Sequence, residues 1–167
     1  LLDEPTTGVD PVTRQDFWQL LIRLVSTPLH LPTSEAGAKL EAEQVAVILT
    51  TPYMDEAARC HRVGFMRLGR LIAEGTPSQL RSTLEGSIVE VRGASIPSMR
   101  KTMARIKGIE DVRAFGDKLH LRVASGQGEL VIATLAEAPA SGFGEQIEAR
   151  LVPPTLEDVF ISLSETS

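Results

Sequence analysis

Leu1-Leu2-Asp3-Glu4-Pro5-Thr6-Thr7-Gly8-Val9-Asp10-Pro11 is the stretch on which the reading of the whole chain turns. Leu1-Leu2 reads as the tail of a buried strand. Pro5 ends it, because proline lacks a backbone donor and biases Glu4 towards extended backbone. Thr6-Thr7-Gly8 is turn chemistry, and Asp10-Pro11 pairs an N-cap acceptor with the ring favoured at the first helical position. Asp3 and Glu4 therefore stand at the carboxyl end of a strand, where open α/β sheets bind ligands. Taken alone, Asp3-Glu4-Pro5 fits a strand ending in a solvated turn, so the function has to come from the longer run.

Outward from this stretch, Phe17, Leu21 and Leu24, with Trp18 and Val25 beside them, recur at helical spacing and predict one buried face on a helix from about Pro11 to Val25. Pro28 and Pro32 interrupt the pattern after Ser26, and a short helix is expected near Ser34–Glu43. Val45–Thr51 is a continuous apolar, β-branched run, as in a parallel strand covered on both faces, and Pro52 ends it. Tyr53–Cys60 reads as a short helix, Val63–Leu68 and Arg70–Ala73 as strands joined at Gly69, and Thr76-Pro77 as the start of a helix to about Leu84. This alternation is that of an α/β layer.

Beyond Gly86 the rhythm changes. Ser87–Arg92, Pro97–Ile106, Ile109–Phe115, Leu119–Val123, Glu129–Glu137 and Glu145–Val152 read as strand, helix, strand, strand, helix, strand, and Gly116-Asp117 joins the middle pair. That order is the split β-α-β of a ferredoxin-like unit. A last helix is expected near Thr155–Leu163. The domain boundary falls at Glu85–Gly86, dividing the chain into residues 1–85 and 86–167.

Composition narrows the function. With 43% hydrophobic and 23% charged residues, the 167-residue chain is ordinary globular protein. A net charge of -5 gives no basic footprint for nucleic acid, and no apolar run reaches the length of a spanning helix. Cys60, the single cysteine, can form neither an internal disulfide nor a multi-thiolate metal site. His30, His61 and His120 receive no chemical role, and Arg14 and Arg23 read as solvated charges on the first helix.

The opening run closely resembles the Walker B and D-loop segment of ATP-binding cassette (ABC) ATPases. Ile48-Leu49-Thr50-Thr51-Pro52-Tyr53-Met54-Asp55-Glu56-Ala57 resembles the switch region of that family, and Gly69-Arg70-Leu71-Ile72-Ala73-Glu74-Gly75-Thr76-Pro77 the segment after it. Leu156-Glu157-Asp158-Val159-Phe160 is similar to the end of the small domain carried by ATPase subunits of ABC-2-type exporters. The resemblance implies a partial P-loop NTPase sheet layer followed by the small α+β ferredoxin-like domain. It implies ATP and Mg²⁺ as cofactors, with Asp3 holding the metal, usually through water, and Glu4 as the catalytic carboxylate. Thr7, Gly8, Val9 and Asp10 would form the D-loop facing a second cassette. A membrane-spanning permease would be the other partner, on the cytoplasmic face of the membrane.

The chain departs from the family at Pro52, where a histidine would reach the γ-phosphate; proline offers neither a side-chain donor nor a backbone N–H. Neither a Gly-Lys dipeptide nor a Gly-Gly pair occurs, so P-loop and signature motifs are absent. With Leu1 in place of an initiator methionine, the expectation is a fragment, inactive alone, of an exporter ATPase. The alternative is a degenerate regulatory cassette, the first half of a tandem protein, holding nucleotide without cycling. A third reading, a stand-alone interaction protein, leaves the apolar edge at Leu1-Leu2 and Val45–Leu49 exposed.

Overall fold

In the computed structural model of the chain, which describes residues 1–26, 45–93, 96–137 and 147–165, the acidic pair does close a strand. β1 (Leu2–Asp3) pairs in parallel with β2 (Leu49–Thr50), Leu2 opposite Leu49 and Asp3 opposite Thr50. Between them α1 (Pro11–Ser26) begins at the proline expected to start it, and α2 (Met54–Ala57) follows the second strand.

Two expectations need correcting here. The strand foreseen over Val45–Thr51 is a two-residue ladder with Ile48 69% exposed and Leu1 93% exposed. Each strand finds a single partner among the described residues, and apolar composition without a second neighbour does not extend a ladder. On α1, Trp18 and Leu21 are buried but Leu24 is exposed, along with Leu20 and Ile22. Leu20-Leu21-Ile22 wraps the helix in apolar side chains, and among the described residues only one side of it meets a neighbour. The helix expected near Ser34–Glu43 lies outside the described residues.

A hairpin follows, β3 (Val63–Arg67) and β4 (Arg70–Gly75), closed by Leu68-Gly69 with φ of +49° and +74°. Positive φ at both loop positions matches the twist of the flanking strands. α3 (Pro77–Ser82) opens with a capping box, in which the Thr76 hydroxyl accepts from Gln79 N and Gln79 Oε1 accepts from Thr76 N.

The remaining elements are β5 (Ile88–Arg92), α4 (Ile96–Met103), β6 (Ile109–Phe115), β7 (Lys118–Val123), α5 (Gly128–Glu137), β8 (Glu148–Leu151) and α6 (Leu156–Glu165). The strands form one antiparallel sheet in the order β6-β7-β5-β8. Strand alternation sends Val89, Val91, Val112, Leu119, Leu121 and Val123 to one face, where Met99 and Met103 of α4 and Val131 and Leu135 of α5 complete the core.

The other sheet face is charged, and α6 lies on part of it. His120, read from the sequence as chemically neutral ground, is in fact buried, its Nδ1 3.2 Å from Asp158 Oδ1. Burial works against ionisation of Asp158, but hydrogen bonds from His120 and Thr155 hold its carboxyl below the ordinary range. Glu90, 3% exposed, accepts from Lys118, from Arg150 Nη2 at 2.8 Å and from Arg92 Nε at 3.3 Å. Lys118 first, then Arg150 and Arg92, pull its carboxyl from an ordinary 4.5 to about 2 against the opposing effect of burial. A carboxylate with a depressed folded pKa stabilises the fold fully above pH 4.5, and that contribution disappears as pH falls from 4.5 towards 2. Glu90→Gln is therefore expected to be less stable than the parent at pH 6, with the gap narrowing steadily below pH 4.5, as urea unfolding across that range will read.

The chain divides into two compact units, Leu1–Glu56 and Ala57–Ser167. Within the second unit α6 packs on α3, and the Phe160 ring meets Phe65 edge-on at 5.4 Å.

Candidate functional site

The site belongs to the first unit and is built where β1 runs out. Glu4 N donates to Thr50 O at 3.1 Å and to Thr50 Oγ1 at 3.0 Å, and the Thr50 hydroxyl in turn donates to Asp3 Oδ1. One threonine thus orients both acids. Glu4 then turns the chain with φ +43°, a left-handed conformation that costs a non-glycine residue about 1–3 kcal/mol and is found where surrounding contacts dictate it.

Those contacts are present. Thr7 N donates to Glu4 O at 3.1 Å and Thr7 Oγ1 to Glu4 Oε2 at 3.1 Å, so the turn closes on the carboxylate it presents. Gly8 supplies a φ of +76°, with open space where a Cβ would stand. Asp10 Oδ1 accepts from Val12 N at 3.0 Å and Thr13 N at 3.1 Å, capping α1. Hydrogen bonds from Thr13, then from Val12, lower the Asp10 carboxyl below its ordinary value. Asp3, Glu4, Thr7, Gly8 and Asp10 are all exposed, as is Pro52 two residues past the end of the β1-β2 ladder.

Of the residues singled out from the sequence, Asp3, Glu4 and Thr7 are linked by hydrogen bonds through Thr50 and the turn, whereas Asp10 is engaged with its own helix. Pro52 follows Thr51 directly and has no hydrogen-bond donor to offer. Three residues went unassigned in the sequence. Thr50 is one; Glu56, buried and bonded to both Thr6 and Thr51 at 2.7 Å, is the second. Arg14 is the third and a correction: its guanidinium lies over the Tyr53 ring, 4.5 Å from the centroid, and its Nε is 3.6 Å from Glu56 Oε1. The one available signal was the threonine pair and the Asp55-Glu56-Ala57 run quoted above, which mark the segment but not its side-chain partners.

Chemically the site offers two exposed carboxylates at the carboxyl end of a strand. Among the described residues no group of three or more His, Cys, Asp or Glu side chains comes together to hold a metal. Hard oxygen donors in so small a number suit Mg²⁺, which keeps several waters and is bound by one or two carboxylates plus phosphate oxygens. The donor set therefore fits a magnesium nucleotide better than a metal enclosed by protein. No helix among the described residues is long and apolar enough to cross a membrane.

No family model matches the chain. Curated proteins do. The Nod factor export ATP-binding protein I of Ralstonia nicotianae is 31% identical over 98% of the chain and 46% of its own length. The daunorubicin resistance ATP-binding protein DrrA2 of Streptomyces coeruleorubidus is 32% identical over 98% of the chain and 47% of its own length. The probable multidrug ABC transporter ATP-binding protein YbhF of Escherichia coli is 42% identical over 48% of the chain, which is 11% of that protein. The chain thus spans just under half the length of the relatives that match it end to end.

Proposed function

Because this chain belongs to the ATP-binding proteins of ABC transporters, we propose that its first unit supplies the hydrolytic carboxylates of a MgATP site in an exporter. The observation that carries the reading is the arrangement at the end of β1, where Thr50 and Thr7 hold Asp3 and Glu4 in fixed, exposed positions. Asp3 would hold Mg²⁺ through water. When bound, the ion would offset the negative charge of the nucleotide's phosphates. Glu4 has Oε2 engaged by Thr7, leaving Oε1 to orient a water molecule and accept its proton. Thr7, Gly8 and Asp10 lie on the D-loop, which we read as the contact to a second cassette, in a homodimer or a tandem fusion. The names of the relatives support export, and with it a permease partner and a place on the inner face of the cell membrane.

We divide the protein functionally at Glu85–Gly86. The strand order β6-β7-β5-β8, with β-α-β-β-α-β connections, supports reading residues 86–167 as the ferredoxin-like accessory domain, and residues 1–85 as the later part of a P-loop NTPase layer. One observation favours a second reading, a regulatory cassette that binds nucleotide and cycles slowly: Pro52 stands where the family has its γ-phosphate histidine. Equilibrium binding of MgATP to the full-length protein tests the main proposal. Asp3→Asn is expected to weaken the magnesium-dependent part of binding by about tenfold. Full-length protein whose nucleotide binding is indifferent to magnesium would refute the assignment.

A further inference from the structure

Glu56 has no assigned part in the nucleotide site, yet its side chain is 1% exposed and spans two of the segments that form it. Oε1 accepts from Thr6 Oγ1 at 2.7 Å and Oε2 from Thr51 Oγ1 at 2.7 Å. Thr6 lies in the turn between Glu4 and Gly8. Thr51 immediately precedes Pro52, and its Oγ1 also accepts from Tyr53 N at 3.1 Å. One carboxylate therefore grips, with one oxygen each, two segments of which the nearer is 5 and the farther 50 residues away in sequence. Arg14, stacked on Tyr53, faces the same carboxylate from α1.

A neutral side chain would satisfy two hydroxyls without placing a charge in the interior, and a buried ion adds little net stability. What the charge does add is stiffness, since charge-assisted hydrogen bonds are shorter and about twice as strong as neutral ones. Burial opposes ionisation of Glu56, but hydrogen bonds from Thr51, Thr6 and Trp18, with Arg14 nearby, keep its carboxyl below the ordinary range, so the grip is ionic at neutral pH.

Resting on the nucleotide-site reading above, we propose that Glu56 is a positioning residue for ATP turnover, locking the turn that presents Glu4 and Thr7 to the segment that carries position 52. The two segments then keep one spacing while nucleotide binds and leaves, so that a change at one is felt at the other.

The test uses full-length protein in two arms. Hydrogen exchange without nucleotide reads the lock itself. Glu56→Gln is expected to raise exchange about tenfold in peptides covering 6–9 and 51–53 together, leaving β5 and β7 at parent rates. MgATP kinetics read the positioning, in parent and Pro52→His backgrounds. Here kcat is expected to fall about 10–10²-fold with KM within about twofold, the pattern of a displaced catalytic group and not of lost binding. If Glu56→Gln fails to fold, Thr6→Val and Thr51→Val each cut one link, and each is expected to loosen both segments. Loosening confined to the substituted segment, or an unchanged kcat in protein that turns over MgATP, overturns the proposal. Protein that binds no MgATP removes the nucleotide-site reading instead, and the exchange arm alone then decides whether the two segments are locked.

Discussion

Full-length protein carrying Pro52→His is expected to turn over MgATP about 10²–10³-fold faster than the parent, with nucleotide affinity changed little. Histidine adds a ring donor and restores the backbone N–H that proline lacks. The backbone on which it would stand is already fixed on both sides, by Thr51 Oγ1 donating to Glu56 and by Tyr53 N donating to Thr51 Oγ1. The new side chain would thus start from a held position, which is the condition for a donor to act on charge that develops in the transition state. A steady-state phosphate-release assay on both proteins checks this. Parent protein already turning over within the ordinary enzyme range of about 1–10³ s⁻¹ would show that this cassette does without a donor at position 52.

In the Pro52→His background, Glu4→Gln is expected to lower kcat by about 10²–10⁴-fold while MgATP still binds. The amide keeps the size of the side chain and can still accept from Thr7 Oγ1, so the turn should survive with Glu4 at its left-handed φ. What would be lost, on the role proposed for Glu4, is the basic oxygen that takes the proton from water. Single-turnover measurements separate the two effects, because a loss of binding would appear in KM and a loss of the base in the rate at saturation. A Glu4→Gln rate within threefold of its background would exclude Glu4 as the base.

Most of the chain's local signals translated well into structure, although Glu4 takes a left-handed φ of +43° against the extended bias set by Pro5. Asp10-Pro11 and Thr76-Pro77 start helices because an acceptor followed by a fixed φ is a self-contained instruction. The hairpin over Gly116-Asp117 is equally local, with Gly116 at φ +60°. What the sequence could not convey was pairing at a distance. Val45–Thr51 records an apolar environment but not how many neighbours share it, and the observed ladder is two residues long. Glu56 reads as one acid among several on a short helix, and nothing in its spacing points to Thr6. His120 likewise finds Asp158 38 residues away, a contact that no periodicity encodes. Asp3 and Glu4 could be located from a single stretch because their setting, strand end and turn, is continuous in the chain. Their supports, Thr50 and Glu56, come from another part of it.

The last helix, α6, has its own mechanical consequence. It meets the β3-β4 hairpin through the Phe65–Phe160 edge contact, and the four-stranded sheet through Asp158 with His120, Ser162 with Arg122, and Glu165 with Arg113 and Arg122. A rod fastened to two plates at interleaved points along its length lets neither slide alone. Displacement of the hairpin would tilt the sheet as a lever tilts its load.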